Sequence, residues 1–236
     1  MADVLHPVYL PFTADRLRGH FAPVHRPGET DRHLSYYRAS IQERKEHDEL
    51  IRRGDKPTPA QIRRGRQMEK DERFWVATAL MALYHTGDGP ARAAAFGRLL
   101  ECAALRPAHE FRRWEDALAG GLELYLEVSL PSPRRYHDWL RDHLTERVLI
   151  PYLTAAARGR SWLEGGTHAD AMLLAPKTGV AVIFEAKVLS DVSTHVTFDV
   201  ARNQLARTID VMLEENPALQ SPLNLRKPDR GPGCVR

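Results

Sequence analysis

The stretch GVAVIFEAKV, residues 179–188, closes an apolar run on a glutamate and a lysine. In an extended strand, side chains two apart project to one face. Glu185 and Lys187 therefore point the same way, in line with Ala181 and Ile183. A carboxylate and an ammonium at the end of a buried strand carry a desolvation penalty unless they pair, stay hydrated or hold a metal. The preceding stretch GTHADAMLLAP (166–176) reads as a second strand, and Pro176-Lys177-Thr178-Gly179 is a turn that suits a hairpin. An antiparallel hairpin sets the start of one strand beside the end of the next, which brings Asp170 close to Glu185. Adjacent carboxylates raise each other's pKa unless a cation lies between them. Hard oxygen ligands of this kind, with waters completing the shell, suit Mg²⁺.

Several elements must position that corner. SPRRYHDWLRDHLTERVLIPYLTAAARG reads as a helix with Ser132 as N-cap and Pro133 at its first position, interrupted at Pro151. Its stripe Trp139, His143, Glu146, Ile150 and Leu153 has helical spacing. Glu146 on that stripe would point toward Asp170 and Glu185, with Asp142 one turn earlier as the fallback. FDVARNQLARTIDVMLEE (198–215) reads as an amphipathic helix with Phe198, Ala201, Leu205, Ile209 and Met212 inward. Because residues 180–186 are apolar on both faces, that strand is expected at the centre of its sheet.

Upstream, residues 1–35 look like an irregular arm, and helix is expected from about Tyr37. Thr58, Pro59 and Gln61 form a capping-box start to a helix that Gly87 stops. Residues 90–105 and 108–130 give two further helical segments, the second weakened by Gly120-Gly121. The break at SLPSPRR divides the chain into a mainly helical region, 1–130, and an α/β region, 131–236.

Taken together, Glu146 on a helix, Asp170 on a strand, Glu185-Ala186-Lys187 on the next and Gln204 in the following helix resemble the PD-(D/E)XK nuclease superfamily. The resemblance covers about residues 132–215, and the family's proline–aspartate pair stands here as Ala169-Asp170. It implies an α/β, restriction-endonuclease-like core of helix, β-hairpin and helix. It implies phosphodiester hydrolysis with Mg²⁺ or Mn²⁺ held by Asp170, Glu185 and the Ala186 carbonyl, and with Glu146 in support. Lys187 would orient the attacking water and offset charge on the phosphorane, and Gln204 matches a helical residue of many members. The substrate implied is nucleic acid, DNA by preference and RNA as the alternative. The family core continues into a further strand, whereas this sequence ends in NPALQSPLNLRKPDRGPGCVR, with no apolar run. A homodimer or a strand-supplying partner is one way to complete such a sheet.

Two other readings stand beside this one. Glu185 and Lys187 alone could be a strand-end salt bridge in a non-enzymatic helical interaction protein, or the site could belong to an inactive nucleic-acid binder of the same fold. Glu43 and Lys45 repeat the Glu-x-Lys spacing in a charged helical setting, so the motif alone decides nothing. The run 51–70 offers Arg63, Arg64 and Arg66 as phosphate contacts, and Arg202 and Arg207 could serve likewise. His168 shares a strand face with Asp170 and is a weaker candidate. A net charge of +3 does not by itself indicate nucleic acid. No apolar stretch approaches the ~18 residues of a membrane span. Cys102 and Cys234 lie too far apart in the sequence to suggest a zinc motif, and with no signal-like start the chain is expected to be cytoplasmic. No phosphate-loop or nucleophile-elbow motif occurs.

Overall fold

The computed structural model describes residues 3–21, 29–130, 132–160, 163–188 and 197–213. Val4–His6 (β1) and Leu10–Thr13 (β2) pair antiparallel, and Ala14–Arg18 (α1) follows with the Thr13 side chain accepting the Arg16 N–H. The expected irregular arm is therefore partly ordered structure. Leu10, Phe12 and Leu17 supply the reason, since all three are buried in the main core.

Glu29–Arg53 (α2) is the longest helix among the described residues. Pro59–Gly65 (α3) begins with the expected capping box, Thr58 accepting the Gln61 N–H while Gln61 accepts the Thr58 N–H. The helix does not run on to Gly87. Gly65 packs against α2 so closely that a Cβ there would lie 2.4 Å from the His47 Cβ, and the chain turns at Arg66. Gln67–Lys70 (α4) and Glu72–Tyr84 (α5) follow, and Asp71 restarts the helix by accepting the Arg73 N–H. Gly89–Cys102 (α6), capped by Asp88, agrees with the expected helix at 90–105.

Residues 108–130 are not helical as expected. Only Trp114–Ala117 (α7) is helix, and Glu123–Leu130 (β3) is a strand. Leu122, Leu124, Leu126, Val128 and Leu130 are buried at every second position, which is the period of a strand and not of a helix. The intervening Glu123, Tyr125, Glu127 and Ser129 are only partly buried.

Arg134–Asp142 (α8), Leu144–Arg147 (α9) and Pro151–Arg158 (α10) replace the single expected helix over 132–158. Ser132 is not its cap; its hydroxyl donates to Glu164 at 2.7 Å. Thr167–Ala175 (β4) and Val180–Phe184 (β5) form the expected hairpin. Gly179, at φ +72°, takes the left-handed turn position that other residues resist. Gln204–Leu213 (α11) is the last described element.

The sheet has the order β3-β4-β5, antiparallel throughout. β4 is thus the central strand, and β5, expected there, pairs on one side only among the described residues. Ala171 to Ala175 are almost wholly buried, and truncating one of the larger side chains, such as Leu173, would cost about 2–5 kcal/mol. One sheet face and the helices α2, α5 and α6 share a single core that joins Leu124, Leu126 and Leu173 to Tyr37, Phe74 and Phe96. Val211 of α11 joins Met172 and Leu174 in a second cluster. A third, built on Leu140, Leu144, Leu163 and Phe198, lies under α8–α10. No helix among the described residues is long and apolar enough to cross a membrane.

Candidate nuclease centre

The β4–β5 ladder ends at the pair Ala171↔Phe184. One step further, the Asp170 side chain replaces the backbone, its Oδ2 accepting the Ala186 N–H at 2.7 Å. β5 stops there, and Glu185, Ala186 and Lys187 leave the ladder with the Glu185–Ala186 peptide held by Asp170. The Lys187 Nζ donates to Glu185 Oε1 at 2.5 Å and to the Ala186 carbonyl at 2.9 Å. Gln204, the first residue of α11, donates from Nε2 to the same Glu185 oxygen. Asp170, Glu185, Ala186, Lys187 and Gln204 are therefore brought together.

Glu146 is not among them. It is exposed on α9, whose buried neighbours Leu144 and Val148 face the third cluster. The expected stripe assumed one continuous helix; the breaks at His143 and Val148 rotate the buried face to His137, Leu140, Leu144 and Val148. Asp142 is exposed as well. α11 also departs from expectation. It begins at Gln204, and Val211 is its buried residue, whereas Leu205, Ile209 and Met212, expected inward, are exposed.

A carboxylate from elsewhere reaches the corner. Glu72, at the start of α5, accepts the Val188 N–H at 2.9 Å through Oε1 and stands 3.5 Å from Lys187 Nζ through Oε2. The bond ties α5 to the segment that follows β5, across more than a hundred residues of chain. Glu127 is a further one. Leu126 pairs with Ala171 and Val128 with Ala169, which sets Glu127 opposite Asp170. Its backbone is left-handed at φ 54°, a strained state for a non-glycine residue, of the kind that gathers at functional sites. The Tyr37 hydroxyl donates to it at 3.2 Å, and Arg73 stands 3.5 Å away. The signal for Glu127 lay in the alternation of residues 122–130; Glu72 carried none beyond its place behind the helix-capping Asp71.

Burial raises the Asp170 pKa above the ordinary carboxylate value; the Ala186 N–H opposes this, and the charges of Glu185 and Glu72 add to it. Glu127 is raised likewise by burial, against Arg73 and the Tyr37 bond, with Asp170 and Asp71 contributing. For Lys187 burial works against the charge, but the Glu185 hydrogen bond and the Glu72 and Asp170 charges outweigh it and raise the pKa. The corner thus has more negative charge than one ammonium neutralises, and desolvated carboxylates of this kind favour a further cation. Lys187 sits on two acceptors, the Glu185 carboxylate and the Ala186 carbonyl, that are also suited to a hard divalent ion. Among the described residues no three acidic, histidine or cysteine side chains are already disposed around one metal position. The donors fit in kind, and a divalent ion would take its place by displacing the ammonium.

The basic candidates divide. Arg63 and Arg64 are exposed on α3 and Arg66 is exposed beside it, held 3.0 Å from Glu69. Arg202, by contrast, is buried. Its Nη1 lies 2.6 Å from Glu164, its Nη2 2.8 Å from Asp210, and its guanidinium 3.6 Å over the Tyr136 ring. It holds the fold and is corrected from the set of phosphate contacts. Arg207 donates to the Gly165 and Gly166 carbonyls at 2.8 and 2.9 Å and lies 3.0 Å from Glu164. His168 is exposed.

Comparison of the chain with models of protein families, with curated proteins and with solved structures finds no match. The structure is a mixed α/β fold with a partly buried, acid-rich sheet corner around one lysine.

Proposed function

We propose that this chain is a metal-dependent nuclease of restriction-endonuclease-like fold that hydrolyses phosphodiester bonds in nucleic acid, DNA by preference. The observation that carries the reading is the meeting of Asp170, Glu185 and Lys187 with the Ala186 carbonyl at one end of the β4–β5 hairpin. The order α5, β3, β4, β5, α11, interrupted by α6–α7 before β3 and α8–α10 before β4, supports the fold assignment, with an acidic residue of the leading helix at the corner. That residue is Glu72, in the place the sequence reading gave to Glu146.

Asp170, Glu185 and the Ala186 carbonyl, with Glu72 beside them, would hold Mg²⁺ or Mn²⁺. When bound, such an ion acidifies water and offsets charge on the scissile phosphate. The chain's own residues do the rest. Asp170 accepts the Ala186 N–H, which anchors the Glu185–Ala186 peptide at the start of the segment that carries the Ala186 carbonyl. Gln204 restrains the Glu185 carboxylate. Lys187 offers an ammonium with three donors, able to orient a water for attack and to bind the growing charge on the phosphorane oxygens. The exposed Arg63 and Arg64 supply positive charge for backbone phosphates.

The test is nicking of supercoiled plasmid with Mn²⁺ by the wild type, Glu185→Ala and Lys187→Ala proteins. Loss of nicking in both variants is expected; equal nicking by all three removes the assignment. A second reading, an inactive nucleic-acid binder of this fold, draws support from the ammonium resting on the acceptors a metal would need. Salt-sensitive binding without cleavage in any divalent metal would favour it.

A further inference from the structure

A cavity of about 690 Å³ opens between α11, the start of β4 and the loop before it, and Gln204 forms part of its wall. The same Gln204 donates to Glu185, so the cavity adjoins the catalytic corner. Its other walls include Arg160, Glu164, Thr167, Phe198 and Arg207. Thr167 is 3 % exposed, yet its hydroxyl has no hydrogen-bond partner. The Nε–H groups of Arg207 and, behind the wall, of Arg202 are also buried without an aligned acceptor. Buried polar groups in native proteins are nearly always satisfied. The Thr167 hydroxyl in the cavity wall therefore marks a place for an acceptor atom, whereas the Arg207 Nε already stands 3.0 Å from Glu164 and Arg202 lies outside the lining.

The charge agrees in sign. Glu164 is already matched by Arg202 and Arg207, and Asp199 by Arg147 at 3.8 Å and the Tyr136 hydroxyl at 2.8 Å. Asp210 is matched by Arg202. Arg160 packs on Phe198, 5.8 Å from the ring centroid, and pairs with no carboxylate among the described residues. The surplus is therefore one arginine at the cavity mouth.

We infer that this cavity is a phosphate subsite, with Arg160 and Thr167 as its donors, Arg207 as a positive charge in its wall and Phe198 as an apolar wall for the attached nucleoside. It binds a phosphate next to the scissile one on the same strand, which rests on the nuclease reading only for the identity of the carrier. Gln204 then joins the two positions, one amide spanning the subsite and the Glu185 carboxylate.

Calorimetric titration in EDTA, with no divalent metal, tests this with two probes: inorganic phosphate and a short single-stranded 5′-phosphorylated oligodeoxynucleotide. The wild type should bind both, in competition with one another. Arg160→Gln, at an exposed position, and Thr167→Val, which removes a hydroxyl that has no partner, should each fold as the wild type does. Each should bind about tenfold more weakly, as fits the loss of one strong hydrogen bond. Absence of phosphate binding, or unchanged binding in both variants, overturns the subsite. Phosphate binding that the oligonucleotide does not compete for keeps the subsite and overturns the strand as its source. A failed plasmid assay with intact binding here would remove the catalytic reading alone.

Discussion

Lys187→Met separates the two tasks that fall on one ammonium group. In the structure this lysine serves as the cation of the corner, 2.5 Å from Glu185, 2.9 Å from the Ala186 carbonyl and 3.5 Å from Glu72. Its side chain is 22 % exposed, so the interaction lies between a surface pair, worth about 0–1 kcal/mol, and a fully buried one, whose breakage costs about 3–5 kcal/mol. A value of about 1–3 kcal/mol follows. A divalent ion entering the wild type must first displace the ammonium and loses that much, a factor of roughly 5 to 150 in affinity. Methionine keeps the length and removes the competitor. The variant should therefore be less stable without metal, its Tm lower by about 2–12 °C for a chain of this size. It should bind Mn²⁺ at least about fivefold more tightly by calorimetry, and Mn²⁺ should restore more of its stability than it adds to the wild type. Plasmid nicking should nevertheless fall by about 10²–10³-fold, because the donor to the reacting oxygens is gone. Mn²⁺ affinity equal to or weaker than the wild type's would refute the idea that lysine and metal compete for Glu185 and Ala186.

Three further outcomes are expected. Glu146→Gln should leave nicking and Tm unchanged, whereas Glu72→Gln should lower nicking and weaken Mn²⁺ binding, because only Glu72 reaches Lys187 and the segment that follows β5. Arg63→Gln with Arg64→Gln should reduce the salt dependence of DNA binding by about two in log–log slope and leave Tm unaltered, since both side chains are exposed. The third concerns acid. His20 and His85 share a hydrogen bond of 2.9 Å between their Nε2 atoms, and burial is the main cause that depresses both pKa values below the ordinary 6.5. The unfolded chain takes up protons first, so this contribution is present above pH 6.5 and is lost as pH falls through the depressed values. Urea unfolding should show stability dropping between pH 7.5 and 5, with a smaller drop in His85→Gln; an equal drop would exclude the pair as the cause.

The β4–β5 hairpin was legible in the sequence because everything that defines it is local. Two apolar runs, a Thr-Gly turn and the offsets among Asp170, Glu185 and Lys187 all lie within eighteen residues of chain. Thr58 could be read as a cap for the same reason. Glu146 was misplaced because a helical wheel holds only while the helix is unbroken, and breaks at His143 and Val148 rotate every later side chain. In α11 Leu205, Ile209 and Met212 do share one face, but the helix packs on Met172 and Leu174 through Val211 and leaves that face outward. β3 shows a different failure. Its alternation was visible, yet ELYLE also contains good helix formers, and the choice fell to the sheet because β4 offered a partner.

By itself, then, the sequence determined the chemical types at the corner and the strand pair that presents two of its carboxylates. Only the tertiary structure decided which distant acids join them, that β4 rather than β5 lies at the centre, and that Arg202 is held inside. Glu72 meets Val188, and Glu127 faces Asp170, through packing of α5 and β3 on the hairpin. Such meetings depend on how faces of separate elements bury one another, and no local spacing encodes that.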